Sequence, residues 1–121
     1  MSDLYIGTDI VDVERIKASI DNYPARFVNK VFSKEEQGYC NSKSKPEIHY
    51  SGRFAAKEAI TKAIKSSGFE QAFTLKNIKI INHSDSSPYV KLDFNYQGEI
   101  KVSISHTQTH AVAFAILKIN P

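Results

Sequence analysis

The stretch that most constrains this 121-residue chain is Ala55-Ala56-Lys57-Glu58-Ala59-Ile60-Thr61-Lys62-Ala63-Ile64. Ala56, Ala59, Ile60, Ala63 and Ile64 recur at helical spacing and form one apolar stripe, so about Ile48 to Ser66 is predicted to be the longest helix. Gly68 stands where a helix ends in the left-handed region. Beyond it the helical period stops. Asn77 to Ile81, Tyr89 to Phe94, Glu99 to Ser105 and His110 to Ile119 read as strands, with turns at His83 to Pro88 and Asn95 to Gly98. A helical half followed by short antiparallel strands predicts an α+β domain. The length supports one core, so residues 1–121 are expected to form one domain.

The N-terminal half supplies a strand and short helices. Leu4 to Val11 (LYIGTDIV) reads as a strand that joins the sheet, with Asp9 near its C-terminal end. Asp12 then caps a helix in which Val13, Ile16 and Ile20 recur, while Glu14, Arg15 and Lys17 lie off the stripe. Pro24 suits the first turn of a second helix carrying Phe27, Val28 and Val31. Ser33-Lys34-Glu35-Glu36 matches a capping box and opens a third. Asn41 to Pro46 is polar, lacks periodicity and reads as a loop.

Hydrophobic residues at 41% and charged residues at 24% exclude wholesale disorder. The net charge of +3 allows acidic partners but falls short of the basic balance of a nucleic-acid binder. Tyr39 and Tyr50 are expected at the surface, without an RNA-binding motif around them. No apolar run is long enough to cross a bilayer, and Met1-Ser2-Asp3 lacks a secretory pattern, so neither a membrane partner nor export is expected. The single cysteine, Cys40, fits a reducing compartment, and a cytoplasmic location is expected.

Three places carry candidate chemistry. Asp9 is a carboxylate on a strand face shared with Tyr5 and Val11, where it needs a counter-charge. Gly7 beside it lets another backbone or a ligand come close. On the long helix Glu58 points nearly opposite the apolar stripe and forms an i, i+4 pair with Lys62, among alanines that permit close approach. Lastly, Val102-Ser103-Ile104-Ser105-His106-Thr107 ends a strand in hydroxyls and an imidazole suited to phosphate oxygens. A Ser105/His106 nucleophile pair is disfavoured because adjacent strand residues face opposite ways. His49, His83 and His110 make no zinc-ligand spacing with His106, and Cys40 has no nearby histidine to activate it.

Taken together, these motifs carry a resemblance. Ile6-Gly7-Thr8-Asp9-Ile10-Val11 with Glu14-Arg15-Ile16 is similar to the N-terminal motif of the 4'-phosphopantetheinyl transferases of the holo-[acyl-carrier-protein] synthase type. Gly52-Arg53-Phe54-Ala55-Ala56-Lys57-Glu58-Ala59 with Lys62-Ala63 resembles that family's central helix motif, and Val102-Ser103-Ile104-Ser105-His106 its C-terminal one. The resemblance covers nearly the whole chain and implies that family's fold. It implies Mg²⁺-dependent transfer of the phosphopantetheine arm of coenzyme A (CoA) to a serine of an apo acyl carrier protein, for fatty acid biosynthesis, with release of adenosine 3',5'-bisphosphate.

The resemblance assigns Asp9 and Glu58 to the metal, with Asp9, Glu58 and Lys62 catalytic and Lys62 on the diphosphate. It places Arg53, Ser105 and His106 on the nucleotide, whose 3'-phosphate adds charge. Mg²⁺ is commonly held by one or two carboxylates plus substrate phosphates, which suits such a set. The acceptor of the serine proton is open between Glu58 and a metal-ordered water. Carrier proteins present an acidic helix beside the modified serine, which points to Arg15 and Arg26 as the docking residues. The resemblance implies a homotrimer with sites between subunits, and the strand His110 to Ile119, apolar on both faces, suits such an assembly. Intact Asp9, Glu58 and Lys62 argue against a non-catalytic binding module.

Two departures from the family pattern stand out. Lys65-Ser66-Ser67-Gly68 replaces a common Gly-Thr-Gly, where Lys65 and the two hydroxyls are candidates to compensate, and Leu92 to Ile100 reads as little more than a hairpin.

Overall fold

Helix α4 runs the length of the core. The computed structural model describes residues 3–85 and 87–120; Met1 and Ser2 of the N-terminal pattern, and Ser86 within the His83 to Pro88 turn, lie outside them. α4 spans Pro46–Ser66. It starts earlier than predicted because Pro46 is its first residue, where a fixed φ suits the first turn and a missing N–H costs nothing. Ala55, Ala56, Ala59, Ile60, Ala63 and Ile64 are fully buried. At its far end Gly68 adopts φ 90°.

Facing α4 is a three-stranded antiparallel sheet in the order β1-β5-β4. β5 (His110–Ile119) lies at its centre and turns Ala111, Ala113, Ala115 and Leu117 toward the helix. Alanines on both surfaces let helix and sheet approach closely. β1 (Asp3–Asp12) pairs with β5 along its whole length, from Asp3 opposite Ile119 to Asp12 opposite His110. β4 (Glu99–His106) occupies the other edge. β1 touches the α4 backbone at Gly7, where a Cβ would stand 1.9 Å from the Ala59 carbonyl oxygen.

The predicted C-terminal strands divide between two sheets. β2 (Ile78–Asn82) pairs only with β3 (Pro88–Leu92) among the described residues, and sends Ile78 and Ile80 into the α4 core. The segment Leu92 to Ile100 is therefore not a hairpin; it is the passage from one sheet to the other. Its aromatics explain the path. Phe94 stacks on Phe73 with centroids 4.9 Å apart, and Tyr96 meets Phe69 edge-on at 4.9 Å.

The short helices form a second core. α1 (Val13–Asn22) is capped by Asp12, whose Oδ1 accepts from the Glu14 N–H at 3.0 Å. A π-helical turn at Pro24–Val28 runs into α2 (Asn29–Val31), and α3 (Lys34–Asn41) begins at the expected Ser33/Glu36 capping box. Ile16, Val28, Phe32, Cys40 and Tyr50 pack together beneath them; Tyr50, expected at the surface, is buried because its ring meets Phe32 edge-on while its hydroxyl donates to Asn41 Oδ1. The opposite surface of the large sheet is uncovered. Leu4, Ile6, Ile10, Val112, Phe114 and Ile116 point away from α4 and are 39% to 65% exposed.

Candidate active site

The close contact at Gly7 delivers Asp9, two residues on and on the same strand face, to the side of α4. Asp9 keeps 18% of its side chain exposed, and Lys62 Nζ lies 3.2 Å from its Oδ1 and 2.9 Å from the Thr8 carbonyl oxygen. Lys62 thus takes its ion pair from β1, in place of the expected pairing with Glu58 along the helix. Glu58 remains beside both. Its carboxyl is held above the ordinary glutamate value, first by burial and then by the Asp9 charge, against the pull of Lys62 and Lys65.

Two neighbouring carboxylates with an amine alongside are hard-oxygen donors of the kind a divalent cation takes. Among the described residues no group of three or more His, Cys, Asp or Glu side chains surrounds a metal position. Two protein carboxylates suffice for Mg²⁺ when substrate phosphates and water complete its octahedron, so Asp9 and Glu58 fit that ion.

Arg53 and His106 meet elsewhere, at the N-terminal half of α4. Gly52 lets the helix settle on β4, since a Cβ there would stand 2.9 Å from the Ile104 side chain. A cleft of about 230 Å³ results, lined by Tyr39, His49, Arg53, Asn82 and His106 among others. Arg53 is 5% exposed, donates through Nη2 to Asn82 Oδ1, and lies 4.0 Å over the Tyr39 ring. Its Nε is buried without a hydrogen-bond partner.

Ser105 is not brought to this cleft. Odd-numbered residues of β4 face away from α4, and Ser105 stands opposite Val112 on the uncovered apolar face. Any contact it makes with a nucleotide requires that ligand to reach across the outer face. Around α1 the structure groups the two predicted docking residues. Arg15 lines a groove of about 240 Å³ with Ile10, Ile16, Phe27 and Phe54. A second groove of about 380 Å³, holding Arg26, Tyr23 and Lys30, adjoins it through the shared Ser19 and Phe27.

The hydroxyls at the end of α4 are already engaged. Ser66 Oγ donates to the Lys62 carbonyl at 2.8 Å, and Ser67 Oγ to that of Ile64 at 2.6 Å while also meeting the Tyr96 hydroxyl. They complete the helix end rather than offer themselves to a ligand. Cys40 is fully buried and burial pushes its thiol up to about 12, which removes thiolate chemistry.

Two features escape sequence analysis. Lys57 is completely buried and donates to Glu36 Oε1, Val31 O, Leu75 O and Ile78 O. At about 100° per residue Lys57 falls about 20° from Ile64, so its place on the buried face was open to inference. Glu36 gave no such signal, because its capping role already accounted for it. His49 is the second, set beside His106 by the approach of α4 to β4.

A carboxylate pair with an amine beside it, and a separate cationic cleft, is an arrangement suited to phosphate chemistry. The family model described as the 4'-phosphopantetheinyl transferase superfamily matches residues 5–115, and the chain belongs to that family. It is 42% identical over 118 residues to the holo-[acyl-carrier-protein] synthase of Protochlamydia amoebophila (strain UWE25), covering 93% of this chain and 96% of that one. It is 44% identical over 112 residues to the enzyme of the same name from Thermodesulfovibrio yellowstonii, with the same coverages. A solved holo-(acyl-carrier-protein) synthase from Bacillus anthracis str. Ames, in complex with CoA (3',5'-ADP), superposes with a TM-score of 0.80 at 26% identity over 96% of each chain.

Proposed function

We propose that this protein transfers the 4'-phosphopantetheine arm of coenzyme A to a serine of an apo acyl carrier protein, giving holo carrier protein and adenosine 3',5'-bisphosphate. The observation that carries it is the meeting of Asp9, Glu58 and Lys62 across β1 and α4 in a chain of this family. Asp9 and Glu58 would hold Mg²⁺, which when bound neutralises charge on the diphosphate. Lys62, more than half exposed, has reach to leave Asp9 for a diphosphate oxygen. Arg53 and His106 take the nucleotide end in their cleft.

The serine oxygen attacks the phosphorus that carries pantetheine, the phosphoanhydride bond breaks, and the bisphosphate leaves with that electron pair. The serine proton goes to Glu58 or to a water ordered by the metal that Asp9 and Glu58 would hold. The paired grooves with Arg15 and Arg26 suit an acidic carrier helix, whose apolar residues would meet Ile10, Phe27 and Phe54. The uncovered apolar face on β1 and β5 supports a homotrimer, because a surface of that composition is stabilised by a second chain. Among the described residues no helix is long and apolar enough to cross a membrane, and a cytoplasmic location for lipid-precursor synthesis accords with the single buried cysteine.

Intact-mass analysis of an apo carrier protein incubated with this protein, CoA and Mg²⁺ tests the activity. A gain of one phosphopantetheine, lost when Mg²⁺ is chelated, is expected; no gain overturns the assignment. Light scattering coupled to size exclusion tests the trimer, which a fully active monomer overturns.

A further inference from the structure

The transfer reaction leaves one imidazole of the cationic cleft unassigned. His49 lies near the start of α4 and faces His106 with ring centroids 5.8 Å apart. Its other neighbour is Tyr39 of α3, met edge-on at 6.0 Å. The same tyrosine ring carries Arg53 at 4.0 Å and Lys43 at 4.6 Å. His49, Arg53 and His106 therefore line one opening, with Lys43 and the acid Glu47 near enough to bear on His49. A buried arginine with an unpartnered Nε completes a cluster whose positive charge is not balanced within the cleft. Like charges gathered in this way call for an anion.

Resting on the proposed transfer from CoA, we infer that His49 is a specificity residue for the 3'-phosphate. It takes up a proton when that phosphate monoester enters the Arg53–His106 cleft, and so favours CoA over 3'-dephospho-CoA. In the free protein burial, then His106, Lys43 and Arg53, hold His49 below the ordinary histidine value, against Glu47. It is neutral near pH 7. A bound monoester brings close to two negative charges, which reverses the local field and favours the imidazolium. A group whose pKa rises on binding contributes affinity that is full below its free value and lost as pH rises through its bound value. The selectivity for the 3'-phosphate therefore weakens as pH rises from the free value of His49, which lies below the ordinary histidine value, to its bound value, by at most about tenfold per pH unit for one linked proton.

Titration calorimetry of the intact protein with CoA and with 3'-dephospho-CoA, in two buffers of different ionisation enthalpy at pH 7 to 8, reads this directly. The phosphate itself is largely dianionic there, its second pKa being about 6, so its own titration contributes little. Net proton uptake is expected with CoA and not with the dephospho form. His49→Phe keeps a ring against Tyr39 and removes the titrating group; with its fold confirmed by circular dichroism, it should bind CoA without uptake and with a flattened pH dependence of the CoA preference. Absence of uptake in the wild type, or equal uptake in His49→Phe, overturns the role of His49 even if the carrier protein is modified. Uptake that depends on His49 in a protein that fails to modify any carrier supports the phosphate site and overturns the transfer reaction instead.

Discussion

Lys57 and Lys62 stand five residues apart on α4, and each pairs with a carboxylate from another element. Lys57 meets Glu36 of α3 at 2.9 Å with both side chains wholly buried. Lys62 meets Asp9 of β1 at 3.2 Å with 55% and 18% of the two side chains exposed. The chemistry is the same and the surroundings are opposite. The three protons of Lys57 face four oxygens, and Glu36 also accepts from the backbone N–H groups of Ser33 and Ile80, so nothing is left for a ligand. Lys62 has two oxygen partners and an open side, so it can exchange one for a phosphate. A buried ion pair stitches segments together; a half-open one keeps bonding capacity for substrate.

Breaking the closed pair should have the largest effect. Lys57→Met removes the ammonium and leaves Glu36 charged in the core with three backbone carbonyls unserved. Removing one partner of such a pair costs about 3–5 kcal/mol. Urea unfolding should show that loss, and the double variant Lys57→Met/Glu36→Leu should recover only part of it, because the Ser33 and Ile80 donors then lack their acceptor. A wild-type midpoint in Lys57→Met would show that the pair is not a structural hub.

Opening the other pair should leave stability nearly intact and remove activity. Asp9→Asn changes little volume and breaks an ion pair that water already screens, worth about 1 kcal/mol or less. Carrier modification should fall on the order of 100-fold or more, as expected when a group that stabilises developing charge is lost. Unchanged turnover at limiting Mg²⁺ would sink the assignment of Asp9 to the metal.

Gly7 connects the two behaviours. A methyl group there meets the Ala59 carbonyl at 1.9 Å and Ala63 N at 2.9 Å, so β1 must move away from the helix backbone. Gly7→Ala should lower stability by about 1–3 kcal/mol, the usual cost of overpacking, and should reduce turnover as well because Asp9 moves with its strand. Unfolding curves and initial rates on one preparation would separate the two losses. A stability loss with full activity would show that Asp9 is positioned independently of Gly7.

How far the sequence reveals these features follows from their physics. Periodicity is a local signal, so it shows α4, the capping box, the strands and the inward side of Asp9. Pairing is not local. Nothing in Leu92 to Ile100 announces that Phe94 and Tyr96 turn toward Phe69 and Phe73 and carry the chain to another sheet. The Lys57 hub joins residues up to 26 positions apart, and the meeting of His49 with His106 depends on how closely α4 settles on β4 at Gly52. The family resemblance implies Asp9, Glu58 and Lys62 as a set, yet helical geometry alone pairs Lys62 with Glu58, because a partner arriving from β1 is invisible to a rule about neighbours on one helix.

The smallest expected effect is a gain. Glu58 has its carboxyl raised above the unfolded-state value by burial and by Asp9, so the folded protein holds that proton more tightly than the unfolded chain does. Stability from this source is full below the unfolded pKa and is lost as pH rises through the folded one; near pH 7.5 the charged form is a net cost. Glu58→Gln removes that cost. Since the side chain is partly solvated, the gain is a fraction of about 1 kcal/mol, or about 1–2 °C in Tm. Thermal unfolding in a chelator at pH 7.5 should show the variant melting above wild type, with the gap closing as pH approaches 4.5. Added Mg²⁺ should then raise the wild type and leave the variant nearly unmoved, because only the wild type keeps both carboxylates. A variant that melts below wild type in chelator would mean that Glu58 serves the fold as Lys57 does, and the contrast between the two ends of this short stretch of helix would be lost.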